Sequence, residues 1–139
     1  MTPESISLVK KSWTRISLDY VATAELFYGK LFDLDPSLKP LFKTNDMRAQ
    51  GQKLMTTLNT VVIALDKLDA IIPAIKKMGE RHVDYGVKDE HYDTVGEALV
   101  WALDASIKDD FTEATKAAWI DAYTLVADTM KAAAAEIAA

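Results

Sequence analysis

Helical periodicity recurs almost from end to end of this chain, and no stretch alternates cleanly between apolar and polar residues, so the pattern specifies an all-α fold. The first helix is expected to open with Thr2 as its cap and Pro3 in its first position, burying Ile6, Val9, Trp13 and Ile16. A second helix follows Asp19 and carries Ala24, Phe27, Tyr28 and Leu31 at three-and-four spacing. It must stop before Pro36, because the residue ahead of a proline is pushed out of the helical region. Ser37 to Phe42 leaves room for one short turn of helix, bounded by Pro36 and Pro40. A polar loop at 43–47 leads into a longer helix from about Met47 to Leu65, with Gln50, Leu54, Leu58 and Val61 along one side.

The next helix is expected to begin near Asp69, where Pro73 is tolerable only in the first turn. Its apolar face reads Leu68, Ile71, Ile72, Ile75, Met78 and His82, and Gly86 is placed to be the left-handed residue that ends it. Two long helices close the chain. One carries Tyr92, Val95, Leu99, Ala102 and Leu103; the other, capped by Thr112 or Asp110, carries Trp119, Tyr123, Val126 and Met130. The alanine-rich tail from Lys131 is expected to fray. No internal repeat or linker interrupts the 139 residues, so residues 1–139 read as one domain.

His82 is the residue on which function turns. A histidine on an apolar helix face is either buried in a core or offers a ring nitrogen to a pocket, and the stripe alone leaves both readings open. The chain has no cysteine, which excludes disulfides, thiolate zinc sites, iron–sulfur clusters and a covalently attached c-type haem. With only His82 and His91, a three-histidine zinc site is excluded as well. A net charge of -5 with interleaved acids and bases points to no nucleic-acid partner and no anionic membrane surface. The longest apolar run, Val61 to Leu65, is too short to span a bilayer. No basic start followed by an apolar stretch marks a signal peptide, so a cytoplasmic location is expected.

An ordered set of residues then resembles a known family. Phe27-Tyr28-x-x-Leu31-Phe32 is followed by Pro36 and Leu41-Phe42. Next come Gln50-x-x-Lys53-Leu54, Arg81-His82 with Gly86-Val87, His91-Tyr92-x-x-Val95-Gly96, and Ala118-Trp119-x-x-Ala122-Tyr123. In order and spacing, from about residue 5 to 130, this is similar to bacterial single-domain haemoglobins, relatives of the globin half of flavohaemoglobins. The resemblance implies a globin fold, helices packed around a pocket that holds haem b non-covalently.

By that resemblance His82 is the proximal ligand of the haem iron, and a neutral imidazole on a stiff helix face suits the role. Met78, Val87 and Val95 belong to the apolar surround, and Phe42 to the aromatic that wedges against the haem plane. Tyr28 and Gln50 correspond to the distal polar pair, with Leu54 one turn beyond. Lys53 and Arg81 are candidate partners of the haem propionates, and Lys53 is also a candidate internal iron ligand. His91 is expected at the surface, capping a helix. Tyr92, ten residues after His82, matches the tyrosine that the family pairs with a glutamate around the proximal histidine. The sequence departs from the pattern here. Where that glutamate is expected stands Ala134, and the nearest acid is Glu136, two positions on.

The implied function is reversible dioxygen binding, with nitric oxide dioxygenation or weak peroxidase activity as the associated enzymology. No flavin or nicotinamide domain follows in these 139 residues, so sustained turnover implies a separate reductase. A tyrosine–glutamine pocket favours slow release, suiting scavenging or nitric oxide detoxification better than bulk oxygen transport. The alternative is a haem-based gas or redox sensor, or an electron-transfer globin acting through a partner protein.

Overall fold

The computed structural model describes residues 1–42 and 46–138, and six α-helices with short 3-10 turns account for nearly all of them. The first helix, α1, spans Pro3–Ile16, and the Thr2 side chain accepts the backbone N–H of Ser5. Asp19 caps α2, Tyr20–Leu34, which ends ahead of Pro36 as the proline requires. A 3-10 turn at Pro36–Leu41 leads to Phe42. Of the loop expected at 43–47, residues 43–45 lie outside the described residues; Asp46 already caps α3 and Met47 is helical. Helix α3 runs Met47–Ile63, α4 Leu68–Asp84, α5 Asp89–Ile107 and α6 Glu113–Ala138. Thr112, rather than Asp110, caps α6 by accepting the N–H of Thr115.

Two expectations fail for identifiable reasons. Pro73 lies in the second turn of α4, not the first. The lost bond would have gone to the carbonyl of Asp69, an exposed residue whose carbonyl can be hydrated instead. The tail does not fray at Lys131. Alanine is the best helix former, and Ala133 is buried, so α6 continues to Ala138.

Helix α4 packs on α6, α2 on α5 and α3, and α1 on α6. The buried apolar residues divide into two clusters. The larger joins α1, α2, α3, α5 and α6 around Val9, Ile16, Leu31 and Leu103. The smaller, at the α4–α6 contact, holds Ile75, Tyr92, Ala127 and Met130. Ile71, Tyr123 and Val126 pack against both. Gly79 permits the close α4–α6 approach: a Cβ there would lie 2.5 Å from the Met130 carbonyl oxygen.

Candidate functional site

Helix α4 delivers His82 near its C-terminal end, where the chain is pinned from both sides. Gly86, at φ +87°, adopts the left-handed conformation that ends a helix. The Gly86 N–H donates to the Val83 carbonyl and the Val87 N–H to the His82 carbonyl, closing the paired bonds of a Schellman motif. His82 Nδ1 lies 2.5 Å from the carbonyl oxygen of Met78. A carbonyl can only accept, so Nδ1 carries the proton and Nε2 keeps its lone pair. Burial holds the imidazolium below its ordinary 6.5, and the neighbouring Arg81 charge acts in the same direction. The ring is therefore neutral at pH 7, the form that binds metals.

Helix α2 delivers Tyr28 from the main core. Its hydroxyl is hydrogen-bonded to the Gln50 side chain of α3, and burial pushes its pKa up to about 12. Aromatic rings surround it. Phe27 and Phe42 meet it edge-on at 4.9 and 5.4 Å, and Phe32 stacks at 6.1 Å. Phe42, at the end of the 3-10 turn, also meets Phe32 edge-on at 5.5 Å. Phe42, Leu54 and Val95 pack on the larger cluster yet stay half-buried; Met78 and Val87 do the same on the smaller one. These partly open apolar side chains are the candidate lining for a flat apolar guest.

The sequence comparison decides the family. The globin family description matches residues 25–130, well over half of the chain. The chain belongs to the globin family. It is 27% identical to Neuroglobin-1 of Oncorhynchus mykiss, across 94% of this chain and 90% of that protein. It is 35% identical to a flavohemoprotein of Bacillus subtilis, across 73% of this chain but only 26% of that longer protein. Among solved structures, an engineered carbene transferase superposes with a TM-score of 0.88 at 27% identity, covering 99% of this chain and 95% of the other. That protein derives from a candidate nitric oxide dioxygenase of Rhodothermus marinus.

Within this globin, the remaining residues singled out in the sequence fall at different distances from the centre. Lys53 and Arg81 are exposed. His91 is half-buried rather than at the surface, and its Nδ1 accepts the N–H of Lys88 at the start of α5. Tyr92 is buried in the smaller cluster, where its backbone carbonyl accepts the Tyr123 hydroxyl at 2.7 Å and Lys131 Nζ lies 5.6 Å from its ring. The bond recorded for His82 Nδ1 runs to Met78, not to Tyr92.

Three residues were given no site role in the sequence, although Phe32 stood in the matched motif. Phe32 completes the ring cluster, and its signal was its place one turn after Tyr28. Tyr85 lies 5.4 Å from His82 ring to ring. Gly79 had the signal of a glycine inside an amphipathic helix.

The donors fit a haem better than a bare ion. Among the described residues no three His, Cys, Asp or Glu side chains gather to hold a metal. One imidazole nitrogen, with partly open apolar side chains on both clusters, suits iron that is already held in a macrocycle.

Proposed function

We propose that this globin holds haem b non-covalently between the two clusters, with His82 Nε2 as the iron's protein ligand and Tyr28 and Gln50 on the opposite side. Haem iron, when bound, supplies the centre at which dioxygen and other diatomic gases bind. The observation that carries the assignment is the His82–Met78 bond, which orients the ring and leaves Nε2 as its one free acceptor.

The other residues have distinct tasks. The Tyr28 O–H and the Gln50 amide supply donors to a ligand that takes up negative charge, each such bond contributing about 1.5–3 kcal/mol. Burial keeps Tyr28 protonated, and so a donor, across the neutral range. Phe42, Leu54, Met78, Val87 and Val95 exclude water, and Lys53 and Arg81, both exposed, are our assigned partners of the haem propionates. Tyr92 supports the proximal side from the smaller cluster.

The reading is of reversible dioxygen binding with slow release, and of dioxygenation of nitric oxide to nitrate when a separate reductase returns the electron each turnover consumes. The Rhodothermus neighbour, derived from a candidate nitric oxide dioxygenase, and the match to one part of the longer Bacillus flavohemoprotein support it. With Ala134 at the family's glutamate position and a neutral carbonyl on Nδ1, peroxidase activity should be weak. No helix of the described residues is long and apolar enough to cross a membrane, in keeping with our assignment to the cytoplasm.

Absorption spectra of the ferric, reduced, carbon monoxide and dioxygen forms test this. A five-coordinate reduced spectrum that shifts promptly with each gas is expected; absence of any haem spectrum after reconstitution would refute it. In a second reading an internal residue, Lys53, Gln50 or Tyr28, closes the sixth position. A six-coordinate low-spin spectrum would select that sensing or electron-transfer role.

A further inference from the structure

Tyr85 caps α4 three residues after His82, so the two side chains share one face of the helix. The register holds to the end. Tyr85 keeps helical backbone angles, φ -77° and ψ -10°, and its N–H donates to the Arg81 carbonyl. The chain then turns at Gly86, where a Cβ would lie 3.3 Å from the Leu41 side chain. This backbone carries the Tyr85 ring to 5.4 Å from the His82 ring, tilted by 58°. Yet Tyr85 is 49% exposed and stands outside both buried clusters. A ring so placed adds little to the core, and its contact with His82 calls for a reason.

The Met78 carbonyl, 2.5 Å from Nδ1, fixes where one edge of the imidazole lies. A single hydrogen bond leaves the ring plane able to rock about the line joining the two atoms, and the second side-chain torsion of histidine has a broad well. Rocking swings Nε2 and its lone pair. Tyr92 does not supply the missing restraint through its carbonyl, which accepts the Tyr123 hydroxyl. A second aromatic ring against the imidazole does oppose the motion, because tilted rings within about 7 Å attract in a preferred orientation. Main-chain atoms therefore set where the His82 ring sits, and Tyr85 is placed to set how it is turned.

We propose that Tyr85 is a positioning residue whose ring fixes the rotation of the His82 imidazole about its bond to Met78, and so aims Nε2. The hold on the ring stands on this contact alone; its effect on bound iron rests on the haem reading above. The consequence is a separation of two tasks. A carboxylate hydrogen-bonded to Nδ1 would orient the ring and strengthen it as a donor together. A ring contact orients it and leaves the imidazole neutral, in keeping with Ala134 at the family's glutamate position.

Carbon-13 relaxation of the histidine rings in the full chain, before haem is added, reads the hold directly. The His82 ring should be ordered in the wild type and in Tyr85→Phe, and mobile in Tyr85→Ala, with the His91 ring unchanged throughout. Tyr85→Leu, which keeps apolar bulk without a plane, carries the same readout if Tyr85→Ala fails to fold. In the reduced haem-loaded protein, the iron–histidine resonance Raman band should broaden in Tyr85→Ala and stay narrow in Tyr85→Phe. Haem transfer to an excess of acceptor globin should quicken roughly three- to ten-fold in Tyr85→Ala alone. A His82 ring equally ordered in every variant, or one freed by Tyr85→Phe, overturns the hold. A freed ring with an unchanged Raman band and transfer rate overturns the aiming of Nε2. If the chain loads no haem, the haem reading fails by its spectrum, and relaxation on the same chain still decides the hold.

Discussion

The His82 side and the Tyr28 side of the proposed haem site are held by different kinds of atom. On the His82 side the backbone does the holding. The imidazole bonds to the Met78 carbonyl, the end of α4 is closed by main-chain bonds around Gly86, and α4 reaches α6 through the absent side chain of Gly79. On the Tyr28 side, side chains hold side chains. A phenol bonds to an amide, and three phenylalanine rings pack around it. A backbone-held ligand keeps its orientation through most substitutions of its neighbours. A side-chain cluster changes with each of them, so ligand chemistry should be tuned at Tyr28 and anchored at His82.

The largest expected effect follows on the anchored side. His82→Ala removes the single imidazole placed for iron, and stable haem retention should be abolished while the helical fold persists. Full retention through gel filtration would show that the backbone-held side is not the anchor. Met78→Leu, by contrast, leaves the carbonyl in place and should retain haem.

Next comes the glycine contact. In an open helix position Gly→Ala stabilises by about 1 kcal/mol, and Gly29, with nothing within 4 Å of its Cβ position, should behave so. Gly79→Ala should reverse the sign and destabilise by about 3 kcal/mol, because the new Cβ meets the backbone of Met130 rather than a movable side chain. Urea midpoints of the two variants measure both. Equal shifts would mean that α4 and α6 separate easily, and that the His82 side is less rigid than its bonds imply.

On the Tyr28 side the effect is kinetic. Tyr28→Phe keeps the ring among Phe27, Phe32 and Phe42 and deletes only the hydroxyl. Losing a bond of about 1.5–3 kcal/mol to a charged ligand should speed dioxygen release roughly ten-fold or more. An unchanged off-rate in stopped flow would show that the hydroxyl serves Gln50 alone.

This contrast also explains what could be read from the chain. Helix boundaries were accessible because Thr2, Asp19 and Gly86 are chemical stops with local mechanisms. Pro73 and the alanine tail were misjudged because their outcome depends on where the fold puts them: Asp69, whose carbonyl Pro73 leaves without an N–H partner, is exposed, and Ala133 is buried. Tyr28 and Gln50 could be paired in advance because side-chain chemistry leaves residue types in the sequence. The partner of His82 could not, since a backbone carbonyl has no residue signature.

The smallest effect concerns alkali. A tyrosine whose folded pKa stands above its unfolded value holds its proton longer folded than unfolded. Stability is then intact below pH 10 and is lost as pH rises from there toward the folded value. For Tyr28, with an ordinary value of 10.0 and a folded value of about 12, the loss should be on the order of 1 kcal/mol by pH 11. Burial also raises Tyr92 and Tyr123, so the whole chain should weaken over this range and no single substitution should level the curve. Tyr28→Phe should nevertheless lose less stability than the wild type between pH 9 and 11, as read from urea midpoints. Parallel curves would mean that Tyr28 ionises as readily folded as unfolded. The ring cluster would then be open to water, and a phenol so hydrated could not be the strong donor that slow ligand release requires.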